Sequence, residues 1–296
     1  MQLKQAVDSA YELFINSDVP SPRLNAELLM MFTLGCDRAY LFAHPEKPLS
    51  EEEYSLYQEV ITERARGCPT QYITGHQEFW GLDLIVSPAV LIPRPETEHV
   101  IEAVLELAQS HYSDGKVKIV DVGTGSGCIA LALASELPQA DILACDISEE
   151  ALEIARINAA RQGLEHRVQF RCSDLLAAYP HGQFDFVVSN PPYVGESEAD
   201  KVQKQVREFE PKIAVFSGWQ GMDIYKRLIP QACAALKPGG WFVTEIGFSI
   251  EKQVKECLTE WSEIQTKIDL QGIPRVIAAR KPIASVSGFD SQTLLA

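Results

Sequence analysis

The spacing of apolar and polar positions divides the chain in two, with a domain boundary near residue 87. Before it, roughly the first eighty residues read as helices, and breaker residues show where each one stops. Ser21-Pro22 places a cap residue before a proline at a first helical position, and Gly35 closes the apolar stretch 24–34. Ser50 and Glu53 form a capping-box pattern ahead of a helix that Gly67 and Pro69 end. These signals predict a small helical bundle. From Tyr72 onward, aromatic and β-branched residues surround Gly75 and Gly81, which predicts a short hairpin. The run Ser87-Pro88-Ala89-Val90-Leu91-Ile92-Pro93-Arg94-Pro95 then reads as an extended connector, because each proline biases its predecessor away from helix.

After the connector, strand-like runs at 118–121, 142–146, 168–172, 184–189 and 241–246 alternate with helix-like runs, the pattern of an open α/β sheet. Leu236-Lys237-Pro238-Gly239-Gly240 is predicted as a tight turn feeding the last of these strands. Two more runs, 264–269 and 275–280, flank Gly272-Ile273-Pro274 and predict an antiparallel pair closing the sheet. The expected organisation is a helical N-terminal domain with its hairpin over 1–86, an α/β domain over 87–281, and a small, polar tail over 282–296 expected to fray.

Composition narrows the function classes. With 296 residues and 46% hydrophobic residues, the chain can build a sizeable core without metals or disulfides. A net charge of −15, from 41 acids against 26 bases, counts against direct nucleic-acid binding, which ordinarily uses a basic face. The seven cysteines include no C-x-x-C pair and read as reduced core residues, and the six histidines have no metal-ligand spacing. No basic-then-apolar leader and no run of membrane-spanning length is visible, so the expectation is a soluble, cytoplasmic, monomeric protein without a membrane partner or a metal.

Two motifs carry chemistry. Asp121-Val122-Gly123-Thr124-Gly125-Ser126-Gly127 follows a buried strand and lets backbone press against a flat ligand at a helix N-terminus. Cys128 stands where a nicotinamide- or flavin-binding fingerprint has its third spaced glycine, and no phosphate-binding lysine follows. Asp146 ends the next strand, placed to accept both hydroxyls of a ribose. Asp174 ends the third, placed to accept from an adenine amino group with Leu175 against the ring. A ribose, an adenine and no pyrophosphate point to S-adenosyl-L-methionine, with S-adenosyl-L-homocysteine as product. Taken alone, a glycine turn and two strand-end acids also suit an ordinary α/β sheet.

The second motif, Asn190-Pro191-Pro192-Tyr193, is sharper. An amino group on an sp2 carbon is a poor nucleophile because its lone pair is delocalised. An Asn190 side-chain oxygen and a Pro191 carbonyl that each accept one N–H hold such a nitrogen toward a methyl donor, and orientation of this kind lowers barriers by several kcal/mol. Successive prolines stiffen the turn and remove donors that would repel the amino group. Tyr193 is placed to pack over the planar group. Asn190 followed by proline also matches a plain helix cap, but its position directly after a buried strand favours the site. Arg94, Glu96 and Glu98 read as a solvated charged turn. Phe79-Trp80 reads as core packing, or as an aromatic grip on a peptide.

With these residues in place, the chain resembles the HemK-type protein-(glutamine-N5) methyltransferases that act on peptide chain release factors. The likeness runs through Gln77-Glu78-Phe79-Trp80-Gly81, the stretch from Val86 to Glu98, the glycine loop, Asn-Pro-Pro-Tyr, Glu210-Pro211 and Asp269-Leu270-Gln271-Gly272-Ile273-Pro274-Arg275. Asn-Pro-Pro-Tyr alone is shared with nucleic-acid methyltransferases; Ile92-Pro93-Arg94-Pro95-Glu96-Thr97-Glu98 singles out this family. The resemblance implies a Rossmann-like class I methyltransferase fold with a seven-stranded, mostly parallel sheet. It also implies methylation of the glutamine in the Gly-Gly-Gln motif of a release factor, with Asn190, Pro191, Pro192 and Tyr193 binding that glutamine. By the same likeness Gly123, Thr124, Gly125, Ser126, Gly127, Asp146, Asp174, Leu175 and Asn190 bind the cofactor. Two rivals are an N6-adenine nucleic-acid methyltransferase and a non-catalytic, cofactor-sensing binding protein.

Overall fold

The computed structural model describes residues 1–112, 116–179 and 182–283; most of the tail expected to fray lies outside the described residues. The N-terminal bundle comprises helices Leu3–Asn16, Pro22–Leu34, Arg38–Ala43, Glu51–Ala65 and Thr70–Thr74. Its core gathers Phe14, Leu29, Met30, Tyr57 and Ile61, with Ile73 packed against it. The capping box at Ser50 has both of its hydrogen bonds, and Gly35 closes the second helix in the left-handed region. Ser21 departs from expectation: its φ is +49° and its side chain makes no cap bond, so Pro22 alone marks that start.

The hairpin is β1 (His76–Phe79) and β2 (Leu82–Ile85), paired antiparallel. Although it follows the bundle in sequence, its Phe79 and Leu84 pack in the core of the main sheet. That sheet contains β3 (Lys118–Val122), β4 (Asp141–Asp146), β5 (Val168–Cys172), β6 (Phe184–Ser189), β7 (Leu236–Glu245), β8 (Ser262–Ile268) and β9 (Pro274–Arg280). The order is β5-β4-β3-β6-β7-β9-β8, parallel through β7 and antiparallel at β9 and β8. This is the seven-stranded sheet that the resemblance implies.

Alternation along each strand divides the core between two faces. Ile119, Phe186, Val188, Trp241 and Val243 pack against helices Glu98–His111 and Cys128–Glu136 on one side. Val120, Val187 and Phe242 pack against helix Asp223–Ala235 on the other. The order reverses at β3, which lies between β4 and β6, and the carboxyl ends of strands at such a reversal open a crevice for ligands.

Residues 236–240 do not form a separate turn. While β6 advances from Phe184 to Phe186, β7 advances from Leu236 to Trp241, so Pro238-Gly239-Gly240 bulges within the strand, with Gly239 at φ +78°. The N–H of Gly239 and the carbonyl of Gly240 pair with Lys281, which keeps the bulge inside the sheet's hydrogen bonding.

Candidate active site

The glycine loop begins where β3 ends. Gly123, Gly125 and Gly127 have φ of +72°, +55° and +85°, so three of the loop's residues sit where an L side chain is strained. At Gly127 a Cβ would also lie 3.2 Å from that of Ala155, because the loop packs directly on helix Glu149–Arg161. Asn158 of that helix is fully buried, and its amide nitrogen donates to the carbonyls of Ile85 (3.0 Å) and Ser126 (2.9 Å). Its oxygen accepts from the N–H of Ile85 at 2.7 Å, so one residue joins hairpin, helix and loop.

Asp146, at the end of β4, accepts from the Gly125 N–H (2.9 Å) and the Ser148 N–H (3.0 Å). Burial raises its carboxyl pKa, and those backbone donors oppose the rise. Asp121 is fully buried. Its Oδ2 accepts from Thr124 Oγ1 and from the Ala130 N–H, while its Oδ1 has no partner among the described residues, nor has the buried Ser126 hydroxyl. Burial pushes the Asp121 carboxyl up to about 7 despite those two donors. Asp174 borders the same cavity but also pairs with Arg227 at 2.5 Å, so its carboxylate is already shared. Leu175 stands beside it with φ +53°.

The loop residues 123–126, with Asp146, Asp174 and Leu175, border a largely apolar cavity of about 400 Å³ beneath the connector. A second, more polar cavity of about 580 Å³ lies against it, bordered by Gln71, Arg94, Tyr193, Glu245 and Arg275. Asn190 and Pro191 line both, and so form a wall common to the two. Pro192 lines the first and Tyr193 the second.

The Asn190 side chain is held by residues to which its own sequence neighbourhood gives no clue. Its Nδ2 donates to Thr97 Oγ1 (3.0 Å), and the Thr97 hydroxyl donates to Glu245 Oε2 (2.6 Å). The Tyr193 hydroxyl donates to the other oxygen of Glu245 (3.2 Å). Thr97 is 1% and Glu245 2% exposed, so this chain of bonds is shielded from solvent. Burial pushes the Glu245 carboxyl up to about 7, against the two hydroxyl donors. The Tyr193 ring rests on Gly247, where a Cβ would come within 2.8 Å of it. Thr244 and Glu245 are both buried at the end of β7, directly after the apolar run Trp241-Phe242-Val243.

The charged turn expected to be solvated is instead fastened. Arg94 pairs with Glu210, whose side chain is fully buried and also accepts from the Ile92 N–H. Glu98 accepts from the Trp80 N–H, and Glu96 lies 3.6 Å from Arg275. Phe79 is core, and Trp80 donates to Glu136, a residue that does not border either cavity. Among the described residues there is no metal-binding cluster and no helix long and apolar enough to cross a membrane.

Both parts of the chain have known relatives. Residues 5–75 match the PrmC N-terminal domain model, and residues 102–209 match the methyltransferase small domain. In fold, the chain is similar to the hMettl16 catalytic domain in complex with a MAT2A 3'UTR hairpin, with a TM-score of 0.54 and 18% identity over 75% of this chain and 81% of that one. It is similar also to a methyltransferase from Pyrococcus furiosus, with a TM-score of 0.50 and 19% identity over 77% of this chain and all of that one. The architecture is a Rossmann-like class I methyltransferase fold with a helical N-terminal region. The release factor glutamine methyltransferase of Geobacter sulfurreducens is 36% identical over 94% of this chain and 96% of its own length. That of Koribacter versatilis (strain Ellin345) is 60% identical over 95% of this chain and 99% of its own. The chain therefore belongs to the release factor glutamine methyltransferases.

Proposed function

We propose that the enzyme transfers a methyl group from S-adenosyl-L-methionine to the side-chain amide nitrogen of the glutamine in a release factor's Gly-Gly-Gln motif. The observation that carries this reading is the common wall. Asn190 turns its Nδ2 toward Thr97, which leaves its oxygen available as an acceptor between an apolar, ribose-ready cavity and a polar one.

The residues of the first cavity fit the cofactor. Left-handed glycines bring backbone close, and Asp146 offers acceptor lone pairs for ribose hydroxyls. When bound, S-adenosyl-L-methionine supplies an electrophilic methyl group on a sulfonium centre. Leu175 and Ile147 give an apolar face for the adenine, and Asp174 accepts from its amino group only so far as Arg227 shares it.

On the acceptor side, a primary carboxamide is planar, neutral and weakly nucleophilic. Asn190 Oδ1 and the Pro191 carbonyl each take one N–H, so the nitrogen's out-of-plane lobe faces the first cavity, and orientation replaces a strong base. Tyr193 walls the polar cavity along which the glutamine enters. The nitrogen exchanges one proton for the methyl group, and that proton leaves through the polar cavity. Residues 1–86 serve docking of the protein substrate and 87–281 carry the transfer. A protein substrate removes the difficulty that a net charge of −15 raises for a polyanion.

Transfer of labelled methyl to a purified release factor, beside a copy with the Gly-Gly-Gln glutamine changed to glutamate, tests the reading. One methyl on that glutamine, found by peptide mass mapping and absent from the variant, is the expected result. No transfer despite bound cofactor would overturn it.

A further inference from the structure

We infer that Thr97 and Glu245 are positioning residues for methyl transfer, and that the charged Glu245 carboxylate fixes which end of the Asn190 amide faces the substrate. The inference rests on the proposal that Asn190 Oδ1 accepts an N–H of the substrate amide.

The argument is an accounting of protons. A threonine hydroxyl has one proton to give and two lone pairs to receive. Thr97 gives its proton to Glu245 and receives from Asn190 Nδ2. Rotating the Asn190 amide by half a turn would set its oxygen against a hydroxyl oxygen whose proton is already committed. Two facing acceptors in a buried site are costly, so the rotation is blocked while Glu245 is charged. Protonated Glu245 can itself donate to Thr97. The hydroxyl proton is then free to turn toward Asn190, and the flipped amide, with its N–H groups facing the substrate's own, becomes accessible.

The surroundings of Glu245 leave it few other ways to respond. Tyr193 donates to its second oxygen, and Tyr225 of helix Asp223–Ala235 donates to its backbone carbonyl. The charged groups nearest it are Glu96, which disfavours ionisation, and Arg275 of β9, which favours it. Cys128 of the loop-end helix also feels its charge. Of these hydrogen-bonded side chains, the Asn190 amide is the one on the wall common to both cavities.

The test compares Thr97→Val, Thr97→Ser, Glu245→Gln and Asn190→Ala in the full-length enzyme with a purified release factor. Cofactor binding is read by calorimetry and fold by thermal unfolding. Thr97→Val, nearly isosteric but without the hydroxyl, is expected to lower kcat by about a hundredfold, the scale of a misplaced reacting group, with cofactor affinity retained. Thr97→Ser restores turnover, which a purely packing role for threonine's methyl group does not predict. The wild-type kcat is expected to fall on the acid side with a midpoint near 7, and Glu245→Gln to lose that limb. If Thr97→Val keeps full kcat, or the acid limb survives in Glu245→Gln, while Asn190→Ala is inactive, the positioning role is overturned and the assignment of Asn190 stands. If Asn190→Ala turns over normally, both fall.

Discussion

A side-chain amide presents two ends of nearly equal size, so at the residue scale the function of Asn190 depends on what sets its orientation. Removing the amide altogether tests its role most directly. Asn190→Ala is expected to abolish turnover while cofactor affinity stays near that of the unaltered enzyme, as measured by calorimetry. A parallel collapse of cofactor binding would show that Asn190 serves the glycine loop and not the substrate. Asp146→Ala is expected to do the reverse. It removes the ribose acceptor and frees the N–H groups of Gly125 and Ser148, so the cofactor Kd should rise by about tenfold or more, the scale of a lost hydrogen bond to a charged group. Unchanged affinity in that variant would remove the ribose assignment. Sequence made Asp146 and Asn190 legible because each directly follows an apolar run that must be a strand. Thr97 and Glu245 were not, because their partners lie 93 and 148 residues away and no local pattern records a contact of that range. Arg94 was read as solvated for the same reason, since its buried partner Glu210 is 116 residues further on.

At the scale of elements, strands were easier to read than what joins them. The runs at 168–172 and 184–189 became β5 and β6 without change: β6, buried at every position inside the sheet, is mostly apolar, while β5, at the sheet edge, alternates Val168 and Phe170 with the exposed Gln169 and Arg171. The Pro-Gly-Gly segment was read as a turn because its residues carry turn chemistry, yet the neighbouring strands absorb it as a bulge. Side chains that tie elements together are the least legible, and Asn158 is the clearest case. Nothing in a helix sequence distinguishes an asparagine that faces solvent from one that clamps a hairpin to a ligand loop. Asn158→Ala leaves the partly buried N–H and carbonyl of Ile85 and the buried carbonyl of Ser126 without this partner. A loss of about 3 kcal/mol in stability is expected, given typical costs for unsatisfied buried groups, and urea unfolding measures it. Because the Ser126 carbonyl belongs to the glycine loop, cofactor affinity should weaken in the same variant. Full stability would mean that the packing of Phe79 and Leu84, with the bonds of Trp80 to Glu98 and Glu136, holds the hairpin without Asn158.

For the whole molecule, the demand for a charged Glu245 sets function against stability. The carboxyl ionises near 4.5 in an unfolded chain and, by burial, at about 7 in the folded one. Below 4.5 both states hold the proton and burial carries no electrostatic penalty. Between those values the folded state keeps a proton that the unfolded state has released, so stability falls as pH rises, at about 1.4 kcal/mol per unit for one group. Above about 7 both states are ionised and the full penalty is in place, in the range where the positioning of Asn190 calls for charge. Glu245→Gln never ionises. Its stability relative to the unaltered enzyme should therefore climb as pH is raised between 4.5 and 7 and then level off, which urea unfolding at a series of pH values can follow. A gap that stays constant with pH would mean that Glu245 is ionised throughout, its hydroxyl donors and Arg275 outweighing burial. The acid limb of turnover would then have to come from another group. A gap that widens as described, together with loss of that limb in the same variant, would assign both effects to one proton. The enzyme would then be keeping a carboxylate that weakens its fold because the charge holds the Asn190 oxygen toward the substrate amide.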